Sequence, residues 1–169
     1  DKNQAFTPDH ITEFMCRLTD VDRTKIVLDA TCGSGSFLVQ AMVKELKDCE
    51  RDKTEEESKV LKKSVREKHI FGIEVEEKAY GLATTNMLIH GDGNSNIKFD
   101  NCFKCKDFIK EANPDAIIFS DFGILNVLKR ELPEIPLHVS TQTNTLNTEA
   151  VKFWKDLGVT RVITARELS

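Results

Sequence analysis

No apolar run in the 169 residues approaches membrane-spanning length, and no segment reads as a secretion signal. A membrane partner is thereby set aside, and a cytoplasmic location is the default. A disulfide framework is excluded by arithmetic: Cys16, Cys32, Cys49, Cys102 and Cys105 are an odd number in a chain without a secretion signal. Cys102-Phe103-Lys104-Cys105 has no second C-x-x-C. None of His10, His69, His90 and His138 lies near enough in sequence to complete a zinc site, so no metal ligand is assigned. Basic excess is missing too. The net charge is -4, and residues 116–169 carry six basic and six acidic residues, so the whole acidic excess falls in the first 115. Such a chain is not built to grip phosphates, and any DNA affinity of a parent protein comes from elsewhere. With 40% hydrophobic and 31% charged residues, it reads as globular, large enough for one core and part of a second. It begins at Asp1 rather than Met, which points to a piece of something longer.

The stretch from Ile26 to Leu38, I-V-L-D-A-T-C-G-S-G-S-F-L, organises the rest. Ile26, Val27 and Leu28 form a short apolar run, as a strand covered on both faces does, and Asp29 ends it. Gly33 and Gly35 allow a sharp bend and close approach to the main chain, and Ser34 and Ser36 are placed to cap a helix beginning near Phe37. The arrangement predicts a crevice beyond the carboxyl end of a strand, facing a helix N-terminus, where open α/β sheets bind nucleotide-like ligands. A plain strand-to-helix turn fits Gly33-Ser34-Gly35 as well. A third glycine is lacking where G-x-G-x-x-G requires it, since that position is Leu38, so a pyrophosphate is not the favoured ligand.

Before this stretch, Phe6-Thr7-Pro8-Asp9 leads into a helix whose apolar residues are Ile11, Phe14, Met15 and Leu18, with Thr7 or Asp9 as cap and Pro8 in its first turn. After it, Phe37, Leu38, Ala41, Met42 and Leu46 continue a second helix. Residues 48–68 are a charge run broken by Val60, Leu61 and Val65, a solvated helix with a thin apolar stripe. A second strand, His69 to Glu74, ends in an acidic residue, which suits a ribose because a carboxylate accepts from both vicinal hydroxyls. Glu74 lies farther from Gly35 than the usual spacing of about 20 residues, and the charged insertion accounts for the excess. Val75 to His90 reads as a helix with Val75, Ala79, Leu82, Ala83 and Met87 on one face, closed by Gly91. Asn94 to Phe99 then leads to Asp100, either a turn residue or a pocket acceptor.

Taken together, A-F-T-P (Ala5 to Pro8), D-A-T-C-G-S-G-S-F-L-V-Q-A (Asp29 to Ala41), G-I-E (Gly72 to Glu74), N-M-L-I-H-G (Asn86 to Gly91) and Asn96-Ile97 followed by Asp100 resemble the amino-adenine DNA methyltransferases. The likeness is to the modification subunits of type I restriction systems and their single-chain relatives, over about residues 3–115. The resemblance implies a Rossmann-like α/β half-sheet and S-adenosyl-L-methionine as cofactor. It implies Phe6, Thr7 and Pro8 near the methionine end, Asp29, Thr31, Cys32, Gly33, Ser34 and Gly35 around that same portion, Glu74 on the ribose and Asp100 beside the adenine. DNA is then the parent family's substrate, with recognition elements outside this chain in a specificity subunit or domain.

The family's base-holding Asn/Asp-Pro-Pro-aromatic motif is absent. Asn113-Pro114-Asp115 comes too early, and after the fourth strand, Ala116 to Phe119, the chain reads Ser120-Asp121-Phe122-Gly123. No catalytic residue is therefore assigned, and no methyl transfer is expected from the chain alone. From about Pro114 the text resembles a second family, the collagenase-like peptidases with their RNA-hydroxylating relatives. The residues that carry it are D-A-I-I-F-S-D-F-G-I-L (Asp115 to Leu125), L-P-E-I-P-L-H-V-S-T-Q (Leu132 to Gln142), N-T-E-A-V-K-F-W (Asn147 to Trp154) and L-G-V-T-R-V-I-T-A-R-E-L-S (Leu157 to Ser169). That resemblance implies βα units of a barrel, too few to close one. The expected organisation is a cofactor-binding region over 1–115 and a βαβαβ segment over 116–169, able to extend the first sheet. The alternative function is a fragment of a barrel hydrolase or hydroxylase. A natural fusion, a rearrangement or assembly error, and a designed chimera would each produce such a join.

Overall fold

The computed structural model describes residues 7–92 and 96–165. Helix α1 (Asp9–Leu18) starts on Pro8 as its N-cap, with φ of -60° and a side chain that makes no capping bond. Neither Thr7 nor Asp9 takes the capping position that the spacing predicts for one of them. The buried side of α1 is formed by Thr12 and Cys16, while Ile11, Phe14, Met15 and Leu18 are all exposed. The periodicity finds the helix, and the structure leaves its apolar stripe on the outside. Thr12 tolerates burial because its hydroxyl donates to the Asp9 carbonyl at 2.9 Å.

Strand β1 (Val27–Asp29) passes through the glycine turn into α2 (Ser36–Asp48), the central helix of this unit. Leu38, Ala41 and Met42 are fully buried there, each large apolar side chain contributing roughly 1.5–3 kcal/mol. Helix α3 (Glu55–Lys68) follows, opened by a capping box in which Thr54 and Glu57 bond each other's backbone amides. Its inward positions are Ser58 and Val65, with Val60 turned to solvent. Strand β2 (Ile70–Glu74) is buried at every position. Helix α4 (Glu77–Ile89) is capped by Glu76 and buries Ala79, Ala83 and Met87, one residue in four. Val75 and Leu82, expected on that face, are exposed. Strand β3 (Asn96–Phe99) and helix α5 (Lys106–Ala112) complete the unit.

The strands are parallel in the order β1-β2-β3, with Asp29 opposite Gly72 and Glu74 opposite Phe99. Gly72 is required where it stands. A Cβ there would lie 2.7 Å from Leu38 Cδ1 and 3.2 Å from Cys32 Sγ. The chain divides into two compact units between Ala112 and Asn113.

The second unit repeats the same plan in fewer residues. Strands β4 (Ile117–Phe119), β5 (Leu137–Val139) and β6 (Arg161–Val162) alternate with helices α6 (Phe122–Glu131) and α7 (Thr148–Asp156). They pair in parallel with each other, β5 in the middle, as a separate three-stranded sheet. The sequence allows them to lengthen the first sheet, but their ladders close within their own set. Trp154 anchors this core, its indole N–H donating to the buried Thr145 hydroxyl at 3.0 Å and its ring meeting Phe119 edge-on. Among the described residues, no helix is long and apolar enough to cross a membrane.

Candidate functional site

The turn between β1 and α2 takes its form from two left-handed residues, Gly33 at φ +55° and Gly35 at φ +77°. Gly35 is the N-cap of α2 and has no side chain to offer the helix's first amides. The expected serine caps are spent on each other, Ser34 Oγ and Ser36 Oγ being 3.1 Å apart. Gly35 also sits on α4, where a Cβ would come within 3.3 Å of Ala83 Cα, whereas a Cβ on Gly33 would meet nothing. One glycine is needed for packing and the other faces open space.

In front of this turn lies a cleft of about 280 Å³ lined by Thr7, Asp29, Thr31, Cys32, Gly33, Ser34, Ser36 and Phe37. Of the residues expected at a site, six meet here: Thr7, Asp29, Thr31, Cys32, Gly33 and Ser34. Pro8 caps α1, and Gly35 lies behind the lining against α4. Phe6 falls outside the described residues. Asp100 follows β3, its amide donating to the Glu74 carbonyl at 3.0 Å and its own carboxylate accepting from Asn101 N at 2.7 Å. Ser36 and Phe37, read from the sequence as a helix cap and the helix start and not as ligand contacts, also line the cleft.

Glu74 is 8% exposed, and the turn uses its carboxylate directly. Gly33 N–H donates to Oε2 at 2.8 Å, and the amides of Val75 and Glu76 donate to Oε1 at 2.8 Å each. A carboxylate oxygen offers two lone pairs. Oε1 is therefore filled and Oε2 has one lone pair beyond the Gly33 bond, where the sequence reading expects a carboxylate free to accept from two hydroxyls; Glu74 itself lies behind the cleft's lining.

The electrostatics of the cleft are acidic. Burial raises the Asp29 carboxyl above the ordinary range; the Thr31 amide at 3.2 Å opposes this, and the nearby Glu74 charge adds to it. Cys32 is pushed up to about 12 by burial, then by Asp29 and Glu74, so it stays a thiol and is no nucleophile. Among the described residues, the lining contains no lysine, arginine or histidine. Hydroxyls and a carboxylate, with no cation among the described lining residues, suit a ligand bearing an ammonium or sulfonium and disfavour a phosphate. In charge and hydrogen-bonding type the lining is compatible with the methionine end of S-adenosylmethionine, with Asp29 as its carboxylate, while the Gly33 N–H is already taken by Glu74.

At the end of β4, the position where an adenine would be held in the methyltransferase pattern, the groups are occupied. Asp121 Oδ1 accepts from Ile124 N at 3.0 Å as the cap of α6, and Phe122 stacks on Trp154 with ring centroids 4.9 Å apart. Among the described residues no cluster of histidine, cysteine, aspartate or glutamate is arranged to hold a metal.

Comparison with known proteins matches both resemblances. The model of peptidase family U32 covers residues 51–169. The chain belongs to peptidase family U32. That match begins well before the join read from the motifs and includes β2, α4 and β3. A U32-side relative, tRNA hydroxylation protein P of Escherichia coli (strain K12), is 46% identical over 72 residues, 39% of this chain and 16% of that protein. On the methyltransferase side, the type II restriction enzyme and methyltransferase RM.BcgI of Heyndrickxia coagulans is 34% identical over 124 residues, 73% of this chain. The chain spans only 17% of that relative's length. In fold, the U32 chain is similar to a modification subunit assigned to a type I restriction enzyme from Vibrio vulnificus YJ016, with a TM-score of 0.62 and 22% identity. That likeness covers 93% of this chain and 38% of the other.

Proposed function

We propose that the first unit is the S-adenosylmethionine-binding part of an adenine-specific DNA methyltransferase of the restriction–modification type, and that it does not methylate DNA by itself. The observation that carries this reading is the meeting of Gly33 N–H and the buried Glu74 carboxylate at 2.8 Å, at the carboxyl ends of neighbouring parallel strands and beside a cleft with no cation among its described lining residues. Asp29 would face the ammonium or sulfonium, the hydroxyls of Thr7, Thr31, Ser34 and Ser36 the carboxylate end, and the remaining Oε2 position of Glu74 one ribose hydroxyl. Asp100 would stand toward the adenine. When bound, the cofactor supplies an activated methyl group. Everything this chain contributes is binding and orientation, which in an in-line displacement governs much of the rate. DNA, a specificity subunit or domain and a cytoplasmic setting belong to the same proposal.

Calorimetric titration with S-adenosylmethionine tests it. Heat of binding that is lost in Asp29→Asn supports the reading, and no heat at millimolar ligand from demonstrably folded protein removes it. Methyl incorporation into DNA is expected to be nil, because Asp121 and Phe122 are already engaged within the second unit.

A second reading, that the chain is a fragment of a U32 barrel protein acting on RNA, is supported by the family match over residues 51–169 and by the βαβαβ plan of β4 to β6. It predicts a shift of tRNA in a native gel together with no heat from S-adenosylmethionine.

A further inference from the structure

The motif Asn86 to Gly91 contributes to the methyltransferase resemblance without a role attached to any of its residues, and the fold supplies one. Met87 is fully buried in the core, His90 is the C-cap of α4, and Gly91 leaves the helix at φ +89°. Asn86 does something different. Its Nδ2 donates to the Ser34 carbonyl at 2.9 Å, across 52 residues of sequence.

We propose that Asn86 is a positioning residue for the cleft: it holds the Gly33-Ser34-Gly35 backbone in the shape that receives the methionine end of S-adenosylmethionine. This rests on the cofactor reading above. The Ser34 carbonyl lies just outside the ladder of α2, in which the Val39 amide donates to Gly35 O at 2.9 Å. Because the peptide unit is planar, fixing the Ser34 carbonyl also fixes the Gly35 N–H on its far side, which donates to Cys32 O at 2.8 Å. Glycines in the left-handed region stand on either side of Ser34 and have the widest backbone freedom, so the turn needs an external tie. Helix α4 provides two ties one turn apart: Ala83 against the Cα of Gly35, and the Asn86 amide on Ser34. The Gly33 N–H, bound by Glu74, holds the front of the same turn. A carboxylate at position 86 keeps the size of asparagine and places an acceptor against an acceptor.

The test uses Asn86→Asp in the whole chain, with two measurements: affinity for S-adenosylmethionine by calorimetry, and hydrogen exchange of the backbone amides in the absence of ligand. The expected result is about tenfold or greater loss of affinity, as losing one hydrogen bond and opposing two acceptors implies. Exchange at Gly35 and Ser36 accelerates while the amides around Ala83 keep their protection. Thr85→Ala, which on the same helix removes a methyl and a hydroxyl bonded to Gly81 O, leaves both measurements at wild-type values. Should Asn86→Asp fail to fold, Asn86→Ala removes the donor without adding an acceptor and is expected to give the same local pattern. Wild-type affinity in the variant overturns the proposal. Exchange that accelerates equally throughout residues 7–112 also overturns it, since Asn86 would then be a general stabiliser. If the wild type itself gives no heat, the cofactor reading falls and takes the ligand half of this proposal with it, while the exchange data still decide whether Asn86 holds the turn.

Discussion

The two units are built on one plan, three parallel strands in sequential order with helical crossovers, yet they treat the turn after their first strand in opposite ways. After β4 the chain closes the helix start with its own side chain: Asp121 accepts from Ile124 N, and Asn147 does the same for α7 through Ala150 N. After β1, α2 begins on a left-handed glycine with no side-chain cap, and the turn's nearest carboxylate comes from the next strand over. A capped N-terminus has its first amides satisfied and gains about 1 kcal/mol; an uncapped one leaves that stabilisation unmade and keeps backbone available to a ligand. In this chain the cleft arises where a cap is withheld.

The comparison is most strongly broken by removing what each unit relies on. Trp154→Ala in the second unit deletes the ring on which Phe119, Phe122 and Phe153 converge, and about 3–5 kcal/mol of stability is expected to go with it, read from chemical denaturation. Next comes the buried pair behind α2. Glu45 is fully buried, its Oε2 lies 3.0 Å from His69 Nδ1, and its Oε1 has no hydrogen-bond partner among the described residues. Burial, with Asp22 and Asp48 adding to it, pushes its carboxyl up to about 8, while burial pushes His69 down from its usual value. Lys44 is the nearby cation on α2, but its ammonium is taken by the carbonyls of Cys16 and Val21. A carboxyl raised on folding gives stability that is complete below its ordinary pKa near 4.5 and is lost as pH rises toward 8. The lowered histidine acts in the opposite direction below 6.5 and is silent above it. Between pH 6.5 and 8 the melting temperature should therefore fall, and Glu45→Gln, which keeps the bond to His69, should flatten that limb. An equal fall in the variant would remove Glu45 as its cause.

Gly35→Ala is expected to cost about 1–2 kcal/mol from the left-handed backbone alone, with the contact to Ala83 adding to it, whereas Gly33→Ala meets no neighbour and pays the backbone term only. Equal losses at both sites would show that α4 does not seat the turn. The finest distinction concerns the caps themselves. Asp121→Ala should cost about 1 kcal/mol, and Ser36→Ala, at the first residue of the uncapped helix, less than about 0.5 kcal/mol.

Much of this architecture was legible in the sequence, for reasons that differ from element to element. Strands β2 and β4 announce themselves as short apolar runs, and the alternation of strand and helix from Ala116 to Thr164 is correctly ordered. The faces of α1 were not legible, because hydrophobic spacing identifies a stripe without saying what covers it. The capping box at Thr54 to Glu57 was available as a motif inside what reads as a featureless charge run. At the site, the gathering of Asp29 to Ser34 follows from their being consecutive, and the arrival of Glu74 from the parallel order of β1 and β2. What sequence could not disclose is how these groups spend their hydrogen bonds. The saturation of Glu74 Oε1 by two following amides and the reach of Asn86 to Ser34 are products of packing, invisible to local spacing.

The outward row of Ile11, Phe14, Met15 and Leu18 on α1 has a practical corollary. A fully folded molecule already presents grease to the solvent, so dyes that light up on apolar surface will fluoresce with the native protein. Such a signal, usually read as a sign of loosened packing, will have to be calibrated here against a variant in which these four positions are polar.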